Sequence, residues 1–227
     1  MKKILLVALR TTVVTLVLTG IVYPFAITGL AQLLFPYRAN GSLLTDERGQ
    51  VVGSELIGQG FTHPAYFQPR PSAAGDKGYD ATASSGSNLG PTSKKLQDRV
   101  SQDVGRLKEE NPDAKDAVPA ELVTTSASGL DPHLSPQSAW WQAPRIANAR
   151  GVSLDRVKAV IESSIEGRDL GLLGESRVNV LLLNLALDRQ FGRPAPVQAQ
   201  EGKGADTADA GNVQPTALSS QPTEIKQ

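Results

Sequence analysis

The chain begins with a long stretch that carries almost no charge. From Thr11 to Tyr37, 27 residues pass without an aspartate, glutamate, lysine, arginine or histidine, and two lysines and an arginine precede them. As a helix this run would be about 40 Å long, whereas a bilayer core needs about 30 Å, or roughly 20 residues. Residues 11–37 are therefore predicted to form one retained transmembrane helix, after a short N-terminus at residues 1–10.

A cleaved secretory signal is the alternative interpretation of this run. Gly29 and Ala31 could imitate the small residues of a cleavage site. The apolar region of a signal is normally about 7–15 residues long, however, so this run favours an anchor. Because the basic residues precede the span, residues 1–10 are predicted to be cytoplasmic and the body of the chain to be exported.

The rest of the chain divides into two regions of different composition. Residues 38–192 carry 17 basic and 19 acidic side chains, and they are numerous enough to bury one hydrophobic core. Residues 193–227 contain four prolines, no aromatic residue and no apolar period. Such a segment cannot bury enough apolar surface to offset its ordering entropy, so it is predicted to be a disordered tail.

Residues 38–192 are predicted to form one mixed α/β domain with a small sheet and several helices. Strands are predicted at residues 42–45 and 50–54, around the turn Asp46-Glu47-Arg48-Gly49, and at residues 122–125. Helices are predicted at residues 93–110, at 136–150 with Pro144 either restarting or bending the helix, from Ser153 onward, and at 178–191. Residues 76–92, rich in small polar residues, are predicted to be a long loop.

The composition provides few of the side chains that enzymes commonly use in active sites. The chain has no cysteine and only two histidines, His63 and His133, so a thiolate site is excluded and a zinc enzyme is disfavoured. These histidines with Asp80 or Asp131 could bind a metal, but a structural role is the favoured interpretation. We predict no metal site and no tightly bound cofactor.

Two short motifs resemble catalytic signatures without matching them. Residues 126–133 gather serine, aspartate and histidine, yet they lack a nucleophile elbow, so a hydrolase using Ser128 is only an alternative. The glycine-rich residues 86–91 precede a helix, but Pro91 stands where a phosphate-binding P-loop needs its lysine. We therefore predict no catalytic residue.

Six strings of the sequence, read in order, resemble one known family. They are GSELIGQ at 53–59, YFQPRPSA at 66–73, SGSNLGP at 85–91, SASGLDPH at 126–133, QAPRIA at 142–147 and VNVLLLNLALD at 178–188. Behind a single apolar N-terminal helix, this series is similar to KdpC, the C subunit of the bacterial Kdp potassium-transporting P-type ATPase. The resemblance extends to Gly192 and leaves the tail outside it.

The resemblance implies a function as an accessory subunit of an ATP-driven, high-affinity potassium importer. The implied partners are a channel-like potassium-binding subunit, an ATP-hydrolysing subunit and a small one-helix subunit, in the bacterial inner membrane. The chain itself would not be an enzyme. An exported, membrane-anchored solute-binding module or hydrolase is the alternative function, although the lack of a lipidation cysteine counts against lipid anchoring.

The resemblance also implies a role as a catalytic chaperone that raises the ATP affinity of the hydrolysing subunit. That role would fall on Gln142 of a Gln-x-x-Arg string, with Arg145 nearby, and ATP would be shared with the hydrolysing subunit. The charge rule places these residues outside the cytoplasmic membrane, whereas ATP is inside, so hydrogen bonding of Gln142 within the body or at an interface is an equal alternative.

A different mechanism follows from the predicted position of the body. If it covers the outer mouth of the channel-like subunit, its exposed loops become candidate contacts. These contact candidates are Arg70, Pro71, Ser72, Ser85, Gly86, Ser87, Asn88, Leu89 and Gly90. Of Trp140 and Trp141, one is predicted to be in the core and the other to be an interface anchor.

Overall fold

A computed structural model describes residues 1–46 and 49–195 of the 227-residue chain. Most of the predicted tail, residues 196–227, lies outside the described residues. The chain divides into two units, one covering residues 1–54 and the other beginning at Glu55. The predicted domain boundaries at residues 10, 37 and 192 stay predictions.

The first unit is dominated by its apolar helix. It contains α1 (Lys2–Val17), a π-helical turn (Leu18–Val22), α2 (Tyr23–Leu34) and the short α3 (Pro36–Ala39), followed by the hairpin strands β1 (Leu43–Thr45) and β2 (Val51–Ser54). Pro24 explains the π-helical turn, because proline has no N–H to donate and its ring crowds the carbonyl one turn earlier.

The continuous helical stretch Lys2–Leu34 is 33 residues long and has a mean hydropathy of 2.2, so it is long and apolar enough to cross a membrane. None of its side chains in α1 or α2 is buried. An exposed apolar helix of this length is stable in a bilayer and costly in water. An apolar N-terminal helix is confirmed, over residues 2–34 instead of 11–37, and the two predicted strands pair, while residues 47 and 48 of the predicted turn lie outside the described residues. Retention of this helix as a membrane anchor stays a prediction.

Within its described residues 55–195, the second unit combines four helices with a small antiparallel sheet. The helices are α4 (Lys94–Glu110), α5 (Pro136–Arg150), α6 (Leu154–Ser163) and α7 (Val180–Phe191), with a 3₁₀ turn at Ala120–Leu122. The sheet has the order β3 (His133–Leu134), β5 (Arg177–Asn179), β4 (Ile165–Glu166), in which His133 lies opposite Asn179 and Ile165 opposite Val178. The predicted mixed α/β class is confirmed.

The helices were predicted best where caps and apolar periodicity agree. The Ser93 hydroxyl caps α4 by accepting from the Leu96 amide, and Leu107 on the predicted apolar face is buried. Helix α5 continues through Pro144, so the helix does not restart there, and it ends at Gly151 in the left-handed conformation. Trp141 is buried, which confirms that one of the pair is in the core; Trp140 is exposed, and its role as an interface anchor stays a prediction.

Two predictions about strands were wrong. Residues 122–125 form no strand: the chain makes a 3₁₀ turn at Ala120–Leu122, and Arg70 donates to the carbonyls of Thr124 and Thr125, which a strand partner would otherwise bind. The predicted helix at 178–191 begins two residues later, because Val178 and Asn179 belong to β5, the central strand of the sheet. Residues 76–92 contain no helix or strand, as predicted.

The core of the second unit lies among α5, α6, α7 and the sheet. Its fully buried side chains come from all of these elements and include Ile146, Val157, Ile161, Val178, Leu183 and Leu187. Phe67 joins this core from a segment that has no helix or strand. The side chains that bind this segment form the candidate site.

Candidate functional site: a segment held by buried side-chain amides

Residues 64–69 pass over the core and make most of their backbone hydrogen bonds to side chains; the Tyr66 amide, which donates to the His63 carbonyl, is an exception. On α7, Asn184 accepts from the Phe67 amide (2.8 Å) and donates to the Phe67 carbonyl (3.0 Å). A side-chain amide has both a donor and an acceptor, so Asn184 satisfies the two backbone groups that a neighbouring strand would have satisfied. Phe67 and Asn184 are both buried, which makes these bonds expensive to lose.

Gln142 on α5 repeats this arrangement one residue along the segment. Its Oε1 accepts from the Gln68 amide (2.9 Å), and its Nε2 donates to the Gln68 carbonyl (3.0 Å). The Arg145 guanidinium also donates to Oε1 (2.8 Å). The side chain is 1% exposed, so the amide of Gln142 is buried and its hydrogen bonds lie within the body.

Arg145 is a buried cation that contacts neutral acceptors. Its guanidinium donates to Asn111 Oδ1 (2.9 Å), to the carbonyls of Pro64 and Tyr66, and to Gln142. Burial lowers the pKa of Arg145 to about 10, and Glu110 partly opposes that shift. Four acceptors replace the water that the guanidinium has lost, so Arg145 fixes the start of the 64–69 segment.

A second arginine of α5 also holds this segment. Arg150 donates to the Ala65 carbonyl (2.8 Å), pairs with Asp188 on α7 (2.8 Å) and lies over the Tyr66 ring, 5.1 Å from its centroid. Tyr66 donates its hydroxyl proton to Asp188 (2.7 Å). Burial, followed by this hydrogen bond, raises the pKa of Tyr66 to about 12, so the hydroxyl stays a donor at neutral pH.

Arg70 and Ser72, two of the predicted contact residues, make their hydrogen bonds inside the body. Arg70 pairs with Asp131 (3.1 Å) in addition to its two carbonyl acceptors. The Ser72 hydroxyl donates to the Gly129 carbonyl (2.6 Å) and accepts from the amide of Tyr79 (2.7 Å). Pro71, between them, is partly exposed. These side chains connect two stretches of the chain, residues 70–79 and 124–131.

The loop at residues 84–91 is held at its beginning and open at its tip. The Ser85 amide donates to the Ser128 carbonyl (2.9 Å), and a Cβ on Gly86 would stand 2.9 Å from the Ala127 carbonyl oxygen. Only glycine allows that approach. Asn88 and Gly90 are exposed, Ser87 and Leu89 are partly exposed, and nothing lies within 4 Å of a Cβ on Gly90.

The residues of the hydrolase alternative do not form a catalytic arrangement among the described residues. The Ser128 hydroxyl accepts from the Leu130 amide (3.1 Å), and no hydrogen bond joins it to His133. Asp131 accepts from the His133 amide (3.0 Å) and lies 3.6 Å from His133 Nδ1. The bond to His133, and then Arg70, lower the pKa of Asp131 against the effect of burial.

No cluster of three or more potential metal ligands occurs within residues 1–46 and 49–195. His63 accepts from the Ala65 amide through Nδ1 (3.0 Å), and its Nε2 lies 3.0 Å from the Ala195 carbonyl. This places His63 at the start of the 64–69 segment, in edge contact with the Tyr66 ring. Both ring nitrogens are thereby engaged within the body.

Gln142 and Arg145 were predicted from the sequence as site residues, whereas Asn184, Arg150 and Asp188 were not. Asn184 was detectable, because it is the one polar residue of an otherwise apolar half-helix, VLLLNLAL. A buried polar residue at such a position must find a partner. Nothing local to Arg150 or Asp188 distinguishes them from ordinary surface charges, since their pairing joins positions 38 residues apart.

Comparison with known proteins gives a consistent result. The family model KdpC, described as the c chain of K⁺-transporting ATPase, matches residues 5–189. The chain belongs to the KdpC family. A potassium-transporting ATPase KdpC subunit from Myxococcus xanthus is 69% identical over 84% of this chain and 90% of its own length. KdpC subunits from Koribacter versatilis and Rhodospirillum rubrum are 52% and 56% identical over 86% and 77% of this chain, and over 100% and 89% of their own lengths.

Membership of the KdpC family makes this chain a subunit of a potassium-transporting ATPase, and not the catalytic one. The match covers both units and ends at residue 189, within α7. The residues that hold the 64–69 segment all lie inside the matched range. The resemblance predicted from the sequence is therefore confirmed.

Proposed function

We propose that this KdpC subunit is anchored in the bacterial inner membrane by Lys2–Leu34, with its N-terminus in the cytoplasm and its second unit outside. The observation that carries the proposal is the exposed, 33-residue apolar helix, which begins with Lys2 and Lys3. The positive-inside rule orients such a helix with its basic end in the cytoplasm. In this position the body stabilises the assembly of the channel-like, ATP-hydrolysing and one-helix subunits.

The orientation is tested by cysteine labelling of intact cells, because the chain has no cysteine of its own. A cysteine at the exposed Thr92 should react with a membrane-impermeant maleimide, and a cysteine at Lys2 should react only after the cells are lysed. The reverse pattern would overturn the proposed topology. Equal labelling at both positions before lysis would indicate leaky cells, which a cytoplasmic marker protein identifies.

The open tip of the 84–91 loop is proposed to contact the channel-like subunit near its outer mouth. Its exposed and partly exposed residues support this proposal, and the bonds of Ser85 and Gly86 to residues 127–128 give the tip a fixed base. Leu89→Asp should reduce recovery of the other subunits in a mild-detergent pull-down through the C-terminus. Ala81→Asp, on an exposed position outside the loop, is the control and should leave recovery unchanged.

For ATP affinity we propose an indirect role of Gln142 and Arg145. Their side chains are buried and hydrogen-bonded to the 64–69 segment, so a nucleotide contact would require those bonds to break. We propose instead that these residues hold the segment in the shape that the assembled complex requires. Any change in the ATP affinity of the hydrolysing subunit then passes through that segment.

Direct and indirect roles give different results with a pair of variants. Gln142→Leu and Asn184→Leu each remove the partner of one residue of the same segment, Gln68 and Phe67 respectively. The indirect role predicts that both variants raise the KM for ATP of the purified complex. A rise for Gln142→Leu alone, or labelling of this subunit by a photoreactive ATP analogue, would establish direct contact instead.

A further inference from the structure

The loop between β4 and β5 carries an exposed apolar surface that the candidate site does not use. Leu170, Leu172 and Leu173 are 92%, 81% and 63% exposed. We call residues 169–173 the leucine tip. Single exposed leucines are ordinary, but three within four residues form a patch that water disfavours.

The backbone of the leucine tip is well ordered by its own hydrogen bonds. The amide of each of Asp169 and Leu173 donates to the carbonyl of the other, both at 2.9 Å, and the Gly171 amide donates to the Arg168 carbonyl (3.0 Å). Leu170 has a φ of +54°, which a leucine rarely adopts. The fold therefore presents these leucines outward at a conformational cost. Because the backbone of the leucine tip is already ordered, binding a partner would cost little further backbone entropy.

The charges around the leucine tip indicate which kind of partner it fits. Arg177 at the base pairs with Glu166 (3.0 Å) and lies 3.7 Å from Asp169. Over residues 166–177 there are three acidic and two basic side chains, so no basic excess is available for anionic lipid headgroups. An apolar centre surrounded by paired charges is the arrangement found in protein–protein interfaces.

We propose that the leucine tip inserts into an apolar recess on another protein subunit of the potassium-transporting ATPase. This proposal rests on assembly of the chain with those subunits, as set out above. The paired charges at its base would form the polar rim of that contact. The unfavourable backbone conformation of Leu170 is then retained because it directs the side chain into the recess.

A variant at Leu170 separates binding from folding. Asparagine tolerates a positive φ better than leucine does, so Leu170→Asn should leave the thermal midpoint of the purified full chain unchanged or higher. The same variant should weaken association with the other subunits roughly tenfold or more, as expected when one leucine side chain leaves an interface core. Leu172→Asn should weaken association similarly.

Leu56→Asn is the matched control, since Leu56 is 59% exposed on the same unit and lies outside the leucine tip. It should not change the association. Unchanged association of both leucine-tip variants would overturn the inference while leaving the proposed function intact. Failure of the unaltered chain to associate with any of the other subunits would instead contradict the proposed function.

A fluorescent probe distinguishes insertion of the leucine tip into lipid from its insertion into a protein subunit. A bimane attached to Leu172→Cys, the only cysteine in that variant, reports whether the tip is in water. In the full chain alone in nanodiscs the emission should be that of an aqueous probe, and it should shift to the blue when the complex is assembled. A blue shift in the chain alone, quenched by spin-labelled lipid, would mean that the tip enters the membrane and would overturn the inference.

Discussion

Individual amide side chains take the place of a β-strand in this body. Asn184 and Gln142 each offer one donor and one acceptor to a backbone residue of the 64–69 segment, on successive residues. An added strand would cover the segment, whereas two amides satisfy it without enlarging the sheet. The cost is that each pair of backbone bonds depends on a single side chain.

Asn184→Leu is therefore expected to destabilise the body by about 2–4 kcal/mol. Leucine has a similar volume but leaves the buried amide and carbonyl of Phe67 without partners, and each such group costs about 1–3 kcal/mol. Thermal unfolding of the full chain in detergent should show a midpoint several degrees lower. Asn148→Ala, at an exposed asparagine bonded to Asp113, should shift the midpoint little, and equal effects of the two changes would contradict this account.

The pKa of Asp131, lowered by its bond to His133 and by Arg70, predicts a pH dependence of stability. The folded state binds this proton less readily than the unfolded state, so the contribution of Asp131 is present above the ordinary carboxyl pKa of about 4. It is lost as the pH falls through the lowered value. The difference in stability between the unaltered chain and Asp131→Asn should thus shrink between pH 7 and pH 3; a constant difference would show that ionisation contributes nothing.

At the scale of elements, helix α4 contains a glycine that lowers its stability and that a larger residue could replace without a clash. Gly105 lies in its exposed interior, and a Cβ there would meet nothing within 4 Å. Gly105→Ala should stabilise the body by about 1 kcal/mol, the usual difference in helix propensity. Chemical denaturation of the full chain in detergent measures the change.

Gly151→Ala provides the opposite case on α5. A Cβ there would also meet no atom within 4 Å, but Gly151 ends the helix with a φ of +63°, which costs a non-glycine residue about 1–2 kcal/mol. The change should therefore destabilise by about that amount. If both alanine variants changed stability in the same direction, backbone conformation would not be what separates them.

Elements whose signals are local were predictable, and elements that depend on distant partners were not. The capped ends of α4 and α5 are local features, and the sequence placed them within one residue. The strand β5 was missed because Val178 and Asn179 continue the apolar run of α7 and become a strand only between β3 and β4. Residues 122–125 have the β-branched composition of a strand, yet Arg70, 54 residues away, binds their carbonyls.

The same limit applies to the candidate site. The string containing Gln142 and Arg145 pointed to the right part of α5, but the sequence could not show that both side chains face the 64–69 segment. That fact depends on contacts between positions 74 to 81 residues apart. Their direct contact with nucleotide stays a prediction.

At the scale of the whole molecule, the KdpC match ends at residue 189, and contacts with the body continue beyond it at Gly192, Arg193 and Ala195. A chain that stops after Ala195 keeps the bonds from Arg150 and His63 to the carbonyls of Gly192 and Ala195. It should assemble with the other subunits and support potassium transport by the ATPase. Growth of a strain that depends on this transporter measures the outcome, and loss of growth with normal membrane levels would assign the tail a function.

The hydrogen bonds between Asn184 and Phe67 also determine when, during synthesis, the body can finish folding. These residues are 117 positions apart, and Asn184 lies on α7, which is synthesised after the other helices of the described residues. In a nascent chain that still lacks α7, the backbone amide and carbonyl of Phe67 have no Asn184 side chain to bind, however long translation pauses. The body should therefore resist proteolysis only after α7 has been synthesised. Cellular proteases should remove chains that end before Val180 and spare those that reach Ala195.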